Sequence, residues 1–216
     1  MAQRRAQPVD VERRRRRRSF RRDERGATAV EFGLIGGTLI LTLMGIVDFA
    51  NAYFQWNRAA KAVHLGVRLA SVSDPVSSDL KTYDGTSSTV FPGDDMPAFQ
   101  RVCTGATASC TNGTYDATAM NTLVYGRGNT ACPATPGAIP GMCSLFPAIR
   151  PQNVVVEYLH TGLGYAGRPG GPVPTITLRL TGLSYQFVVL NGLLRYTPLT
   201  MSGLSATATA EDMAGR

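Results

Sequence analysis

Gly26-Ala27-Thr28-Ala29-Val30-Glu31-Phe32-Gly33-Leu34-Ile35-Gly36-Gly37-Thr38-Leu39-Ile40-Leu41-Thr42-Leu43-Met44-Gly45-Ile46-Val47 is the stretch that decides the architecture of this 216-residue chain. Wound as a helix, Ala27 to Val47 spans about 31 Å at 1.5 Å per residue. The hydrocarbon core of a bilayer is about 30 Å thick. Thr38 and Thr42 can return their hydroxyl hydrogen bonds to their own helix, so they do not spoil a membrane span. The arginine-rich flank argues against a buried core helix of a soluble protein.

On its N-terminal side, residues 1–26 hold four acidic residues and eleven arginines, including the unbroken run Arg13 to Arg18. The formal charge of the whole chain is +7. Because residues 27–216 carry equal numbers of acidic and basic side chains, the excess lies wholly in this head. Arginines beside an apolar span stay on the cytoplasmic side, which places the head inside and the chain beyond residue 50 outside. All four cysteines, Cys103, Cys110, Cys132 and Cys143, lie beyond the span, where an oxidising compartment permits disulfides. Contact of the head with anionic lipid is physically natural, but a topogenic role accounts for it, and no nucleic-acid partner is expected.

Enzyme classes find little support. His64 and His160 are the two histidines, too few for a histidine-rich metal site. The cysteines lack paired C-x-x-C spacing. No G-x-S-x-G, H-E-x-x-H or Walker-type string is present. Gly162-Leu163-Gly164-Tyr165-Ala166-Gly167 satisfies G-x-G-x-x-G, but Arg168-Pro169-Gly170-Gly171-Pro172 follows it and cannot open the helix that a dinucleotide site needs. A hairpin loop is the reading there, and no cofactor is expected. Gly93-Asp94-Asp95 reads as a solvated turn rather than a calcium ligand set, and no metal site is assigned.

Glu31 is out of place. A charge at the centre of a membrane helix costs roughly 2.5–3.5 kcal/mol, and less near the boundary. One account is that Glu31 sits at the interface and favours the helix N-terminus through the macrodipole. Another follows from a cut after Gly26. The new amine on Ala27 would lie one turn from Glu31 on the same helix face. Such a cut removes all of the excess positive charge and leaves an amine beside a carboxylate, a pairing that makes a buried charge tolerable.

The residues Gly26-Ala27-Thr28-Ala29-Val30-Glu31-Phe32 resemble a type IV prepilin processing motif. Together with Gly45-Ile46-Val47-Asp48-Phe49, Asn57-Arg58-Ala59-Ala60 and Gly66-Val67-Arg68-Leu69-Ala70, they resemble the TadE-like pseudopilins of tight-adherence (Flp) pilus systems. The resemblance covers about residues 25–70. Gly36-Gly37 stands where family members often carry a proline, and Asp48 where glutamate is usual. The resemblance implies cleavage between Gly26 and Ala27 by a prepilin peptidase, with Glu31 and Phe32 as part of the recognised site. It implies a bacterial inner-membrane location, other pilin and pilus-assembly subunits as partners, and no catalytic activity.

Two export signals compete with this reading. Arg17-Arg18-Ser19-Phe20 matches the core of a twin-arginine signal, and Ala50-Asn51-Ala52 mimics a signal-peptidase site. They would make the product an exported extracytoplasmic enzyme or binding module, held by an uncleaved anchor or cut near Ala52. An R-R-x-F match is cheap within six arginines, and Glu31 and Asp48 are awkward inside a cleaved signal.

Beyond Val47 the helical period persists. Phe49, Tyr53, Trp56, Ala60, Val63, Val67 and Ala70 step by three and four along one stripe, and no proline intervenes before Pro75. A signal-peptidase cut after Ala52 would sever this stripe. Tyr53 and Trp56 suit either the outer membrane interface or a core beneath a sheet, and the core is the expectation.

The expected fold is α+β. It has a leader (1–26), a transmembrane helix (27–48) with an amphipathic extension (49–72), a loop-rich cysteine-containing region (73–152) and an antiparallel sheet region (153–216). Four cysteines allow three pairings, and the sequence-local one, Cys103 with Cys110 and Cys132 with Cys143, is expected. Strands are expected at Val154–Leu159, around Ile176–Leu180, at Tyr185–Leu190 and along the Leu204–Ala210 alternation.

Overall fold

In the computed structural model, residues 24–185, 187, 189–194 and 198–210 are described. The leader lies almost wholly outside them, as do residues 211–216 at the other end. The chain forms two compact units that divide between Asp48 and Phe49.

Helix α1, Glu24–Val72, is continuous. From Gly26 to Val47 nearly every residue is exposed, and none is buried. Thr38 Oγ1 donates to the Leu34 carbonyl and Thr42 Oγ1 to the Thr38 carbonyl, both at 2.8 Å. Both hydroxyls are thereby satisfied without water, as an apolar phase requires. From residue 59 onward the burial becomes one-sided. Ala59, Ala62, Val63, Gly66, Val67, Leu69 and Ala70 are buried, while Lys61, His64 and Arg68 are exposed.

A five-stranded antiparallel sheet has the order β2-β1-β3-β4-β7. Its strands are β1 (Gln100–Thr104), β2 (Ser109–Thr111), β3 (Val154–Leu159), β4 (Thr175–Leu180) and β7 (Ser205–Thr209). The register places Val156 opposite Leu178 and Leu178 opposite Ala206. Val154, Val156, Tyr158, Ile176, Leu178 and Ala206 are therefore buried on one face, and Thr177, Arg179 and Thr207 lie on the other. The half-buried strand alternation produces this result directly. Gly66 of α1 belongs to the same packing. A Cβ there would stand 2.5 Å from Met142 Sδ and 3.0 Å from Leu178 Cδ1, so the glycine lets the helix sit close on this core.

Two expectations are corrected. Tyr185–Leu190 is not a strand. Ser184–Tyr185 (β5) pairs briefly with Leu199–Thr200 (β6), and Val189–Leu194 is helical, with Gln186 and Val188 outside the described residues. Apolar runs this short do not separate strand from helix by periodicity. Region 73–152 is rich in loop and also carries regular elements. It holds the β1–β2 hairpin and helix α2, Ala117–Tyr125, which makes Val189–Leu194 the third α-helix, α3. Asp116 caps α2, its Oδ1 accepting from Thr118 N at 2.9 Å and Ala119 N at 3.1 Å, and Gly126 ends it at φ 90°. These are ordinary start and stop signals. Finally, Tyr53 is not a core residue. It is 66% exposed, and Phe49 on the same stripe is 69% exposed, whereas Trp56 packs partly against the core.

Two disulfides staple the middle of the chain, Cys103–Cys110 and Cys132–Cys143. The first joins opposed residues of β1 and β2. The second closes the loop from Cys132 to Cys143, and Gly141 near its end lies against the backbone at the close of α2. A Cβ on Gly141 would fall 2.3 Å from Gly126 N, so only glycine permits that approach.

Candidate functional site

The sequence motif falls on the first two turns of α1. Gly26, Ala27, Glu31 and Phe32 are all exposed, and Phe32 is 79% so. A side chain added at Gly26 would meet nothing within 4 Å. Ala27 and Glu31, four residues apart in one helix, share a face about 6 Å apart along the axis. The Gly26–Ala27 peptide bond lies inside α1. A hydrolase could reach it only by unwinding that turn, and glycine lowers the cost of doing so by up to about 1 kcal/mol relative to alanine. The leader that would precede the cut lies outside the described residues.

In the unit from Phe49 onward, Lys81 and two carboxylates form a bracket between elements. Lys81 Nζ lies 3.0 Å from Asp74 Oδ2 and 3.1 Å from Asp116 Oδ2. The chain just past α1, the short 3-10 helix Ser78–Lys81 and the N-cap of α2 are thereby tied together. The hydrogen bond to Asp74 holds the Lys81 ammonium above its usual range against partial desolvation, with Asp116 adding to it. Partial burial works to raise Asp116, but the Ala119 N–H and Lys81 outweigh it and hold the carboxyl low. Asp79 likewise resists its burial, through the Ser77 hydroxyl and the Arg101 guanidinium, whose Nε lies 2.8 Å from Asp79 Oδ2. Burial drives the Tyr158 phenol upward, and the Val76 N–H donating to its oxygen at 2.9 Å opposes this in part. Each of these groups is occupied by a structural partner. None was singled out from the sequence, and the Asp116 cap preceding Ala117 was the available signal.

Among the described residues no group of three or more His, Cys, Asp or Glu side chains is placed to hold a metal ion. Asp94 is used within its own turn, where Oδ2 accepts from Phe91 N at 2.7 Å. The Gly162–Gly167 segment lies in the connection between the antiparallel strands β3 and β4, and no helix follows it before β4. One cleft of about 460 Å³ is walled by Leu180, Leu183, Met201 and Leu204. A second, of about 410 Å³, is lined by Asp74, Lys81, Asp116 and Arg127. Neither has a histidine or cysteine in its lining.

Among the described residues, the one element with a motif, a long apolar surface and a length sufficient to cross a membrane is α1. No curated protein and no solved structure matches the chain. A family model described as TadE-like protein matches residues 26–68, about a fifth of the chain; the α1 segment that begins at the motif glycine is thus TadE-like.

Proposed function

We propose that this chain is a membrane-anchored minor pilin or pseudopilin that takes part in assembling a tight-adherence (Flp-type) pilus. In this reading the arginine head stays in the cytoplasm, residues 27–48 cross the inner membrane, and the disulfide-bearing unit lies outside. A prepilin peptidase cuts between Gly26 and Ala27, recognising Glu31 and Phe32. The new amine and the Glu31 carboxylate then form a locally neutral helix start that can meet neighbouring subunits. The chain performs no chemistry of its own.

The observation that carries this reading is a coincidence of boundaries. The TadE-like match begins at Gly26, where the charged head ends and the unburied apolar surface of α1 begins. A span of that length satisfies every backbone group internally, as lipid demands. The processing step is tested by mass spectrometry of the membrane-extracted protein. An Ala27 N-terminus is expected. A chain that keeps residues 1–26 refutes processing, and one that starts at Tyr53 rejects the pilin reading in favour of a cleaved export signal.

A further inference from the structure

Phe49, Tyr53 and Phe54 are 69%, 66% and 58% exposed on α1. Large aromatics left uncovered together mark an interaction surface. Phe49 and Tyr53 share a face at one-turn spacing, and Phe54 lies about 100° further round. Phe54 is held in place, since the Arg58 guanidinium lies 5.6 Å from its ring centroid and Arg58 Nε donates to the Leu145 carbonyl at 2.8 Å. Asn57 Nδ2 donates to the Tyr53 carbonyl at 3.0 Å, so polar groups begin at once beyond the aromatic turn.

From this we infer that Phe49, Tyr53 and Phe54 form a collar that seats in the outer headgroup layer of the bilayer and sets how far the chain emerges from it. The inference rests on the reading of residues 27–48 as the membrane span. Along α1 the collar lies about 3–10 Å past Val47 at 1.5 Å per residue. The headgroup layer adds roughly 5–8 Å beyond the hydrocarbon on each side. Collar and layer therefore coincide. Aromatic rings with a polar tip or a cationic neighbour favour that zone, where one side is apolar and the other wet. Lipid is the occupant because the collar resumes, past the buried Asp48, the exposed apolar surface that α1 presents from Gly26 to Val47, for which lipid is the only apolar solvent on offer. Beyond it the same helix turns one face into a protein core and gives Lys61, His64 and Arg68 to water.

Trp56 is the single tryptophan, so its replacement gives a silent background for depth measurement. The full chain carrying Tyr53→Trp with Trp56→Phe, and a second carrying Ile40→Trp with Trp56→Phe, are reconstituted at low protein density. The vesicles are phosphatidylcholine–phosphatidylglycerol with a nitroxide quencher either at the headgroup or at mid-chain. The expected result is loss of most of the Tyr53→Trp emission with the headgroup quencher and little loss with the mid-chain one, and the reverse for Ile40→Trp. Quenching of Ile40→Trp at mid-chain without quenching of Tyr53→Trp overturns the collar and leaves the span standing. If neither is quenched, the span fails and the collar with it. If Tyr53→Trp is blue-shifted yet inaccessible to lipid quenchers, protein covers this turn, and the collar is overturned in favour of a subunit contact.

Discussion

The two halves of α1 are similar in apolar content and differ in how that content is arranged and used. Between Gly26 and Val47 apolar side chains point in every direction and none is buried. Between Ala59 and Ala70 they fall on one face, and that face is buried beside a sheet, while Lys61, His64 and Arg68 hold the other. A helix apolar all round needs an apolar solvent; one that is apolar on a stripe needs only a partner surface. One continuous element thus meets two environments, and the change of pattern along its sequence marks where they meet.

A charge placed in each half separates the two most sharply. Val63→Asp, at a site 1% exposed, introduces an unpaired carboxylate into a packed core and is expected to abolish folding of the unit from Phe49 onward, a loss above about 4 kcal/mol. Near-UV circular dichroism reads it. Leu39→Asp, at 58% exposure, should leave that spectrum intact and instead weaken membrane insertion by roughly 2.5–3.5 kcal/mol, measured by alkaline extraction. If Leu39→Asp unfolds the distal unit, or Val63→Asp spares it, the contrast is false.

Truncations sharpen the same comparison. Leu178→Ala empties a fully buried position on β4 and should cost about 2–5 kcal/mol in chemical unfolding. Leu39→Ala should leave the unfolding midpoint where it is. Replacing both Cys132 and Cys143 with serine releases a short closed loop and should cost about 3 kcal/mol, again with no effect on membrane extraction.

The smallest effect is on pH dependence, and it too belongs to the distal unit alone. Asp116 and Asp79 are held below the ordinary aspartate value of 3.8 in the folded chain. Their contribution is therefore present above pH 3.8 and is lost as pH falls through the lower folded values. Asp116→Asn should flatten the acid limb of the stability curve below about pH 4, as followed by thermal unfolding at successive pH values. An unchanged acid limb would show that the bracket around Lys81 contributes nothing measurable.

Much of the fold was legible because two periodicities speak plainly. The helical run without proline up to Pro75 corresponds to α1, and Val154–Leu159 and Thr175–Leu180 alternate as β3 and β4. The alanines at 206 and 208 lie opposite Leu178 and Ile176, as a strand partner. What stayed hidden was short or ambiguous. The three residues of β2 become a strand only because β1 lies beside them. Tyr185–Leu190 offered apolar residues with no period long enough to choose strand or helix. The Asp116 cap and Gly126 stop of α2 were readable, but polar composition around them suggested loop. The candidate site divides in the same way. Gly26, Ala27, Glu31 and Phe32 stand out as a local string, while the Lys81 bracket joins residues up to 42 positions apart and has no local signature.

What the sequence determined by itself are the features set by neighbours along the chain: the apolar span and its charged flank, the motif at its start, the helix with its stop before Pro75, and the alternation of the long strands. Local sterics and hydration act over a few residues and leave their period in the string. Tertiary structure alone decided which apolar residues are covered. Val63 and Tyr53 belong to one stripe, yet the first is buried and the second bare, because burial depends on what distant strands bring against each turn of the helix and no local pattern encodes that supply.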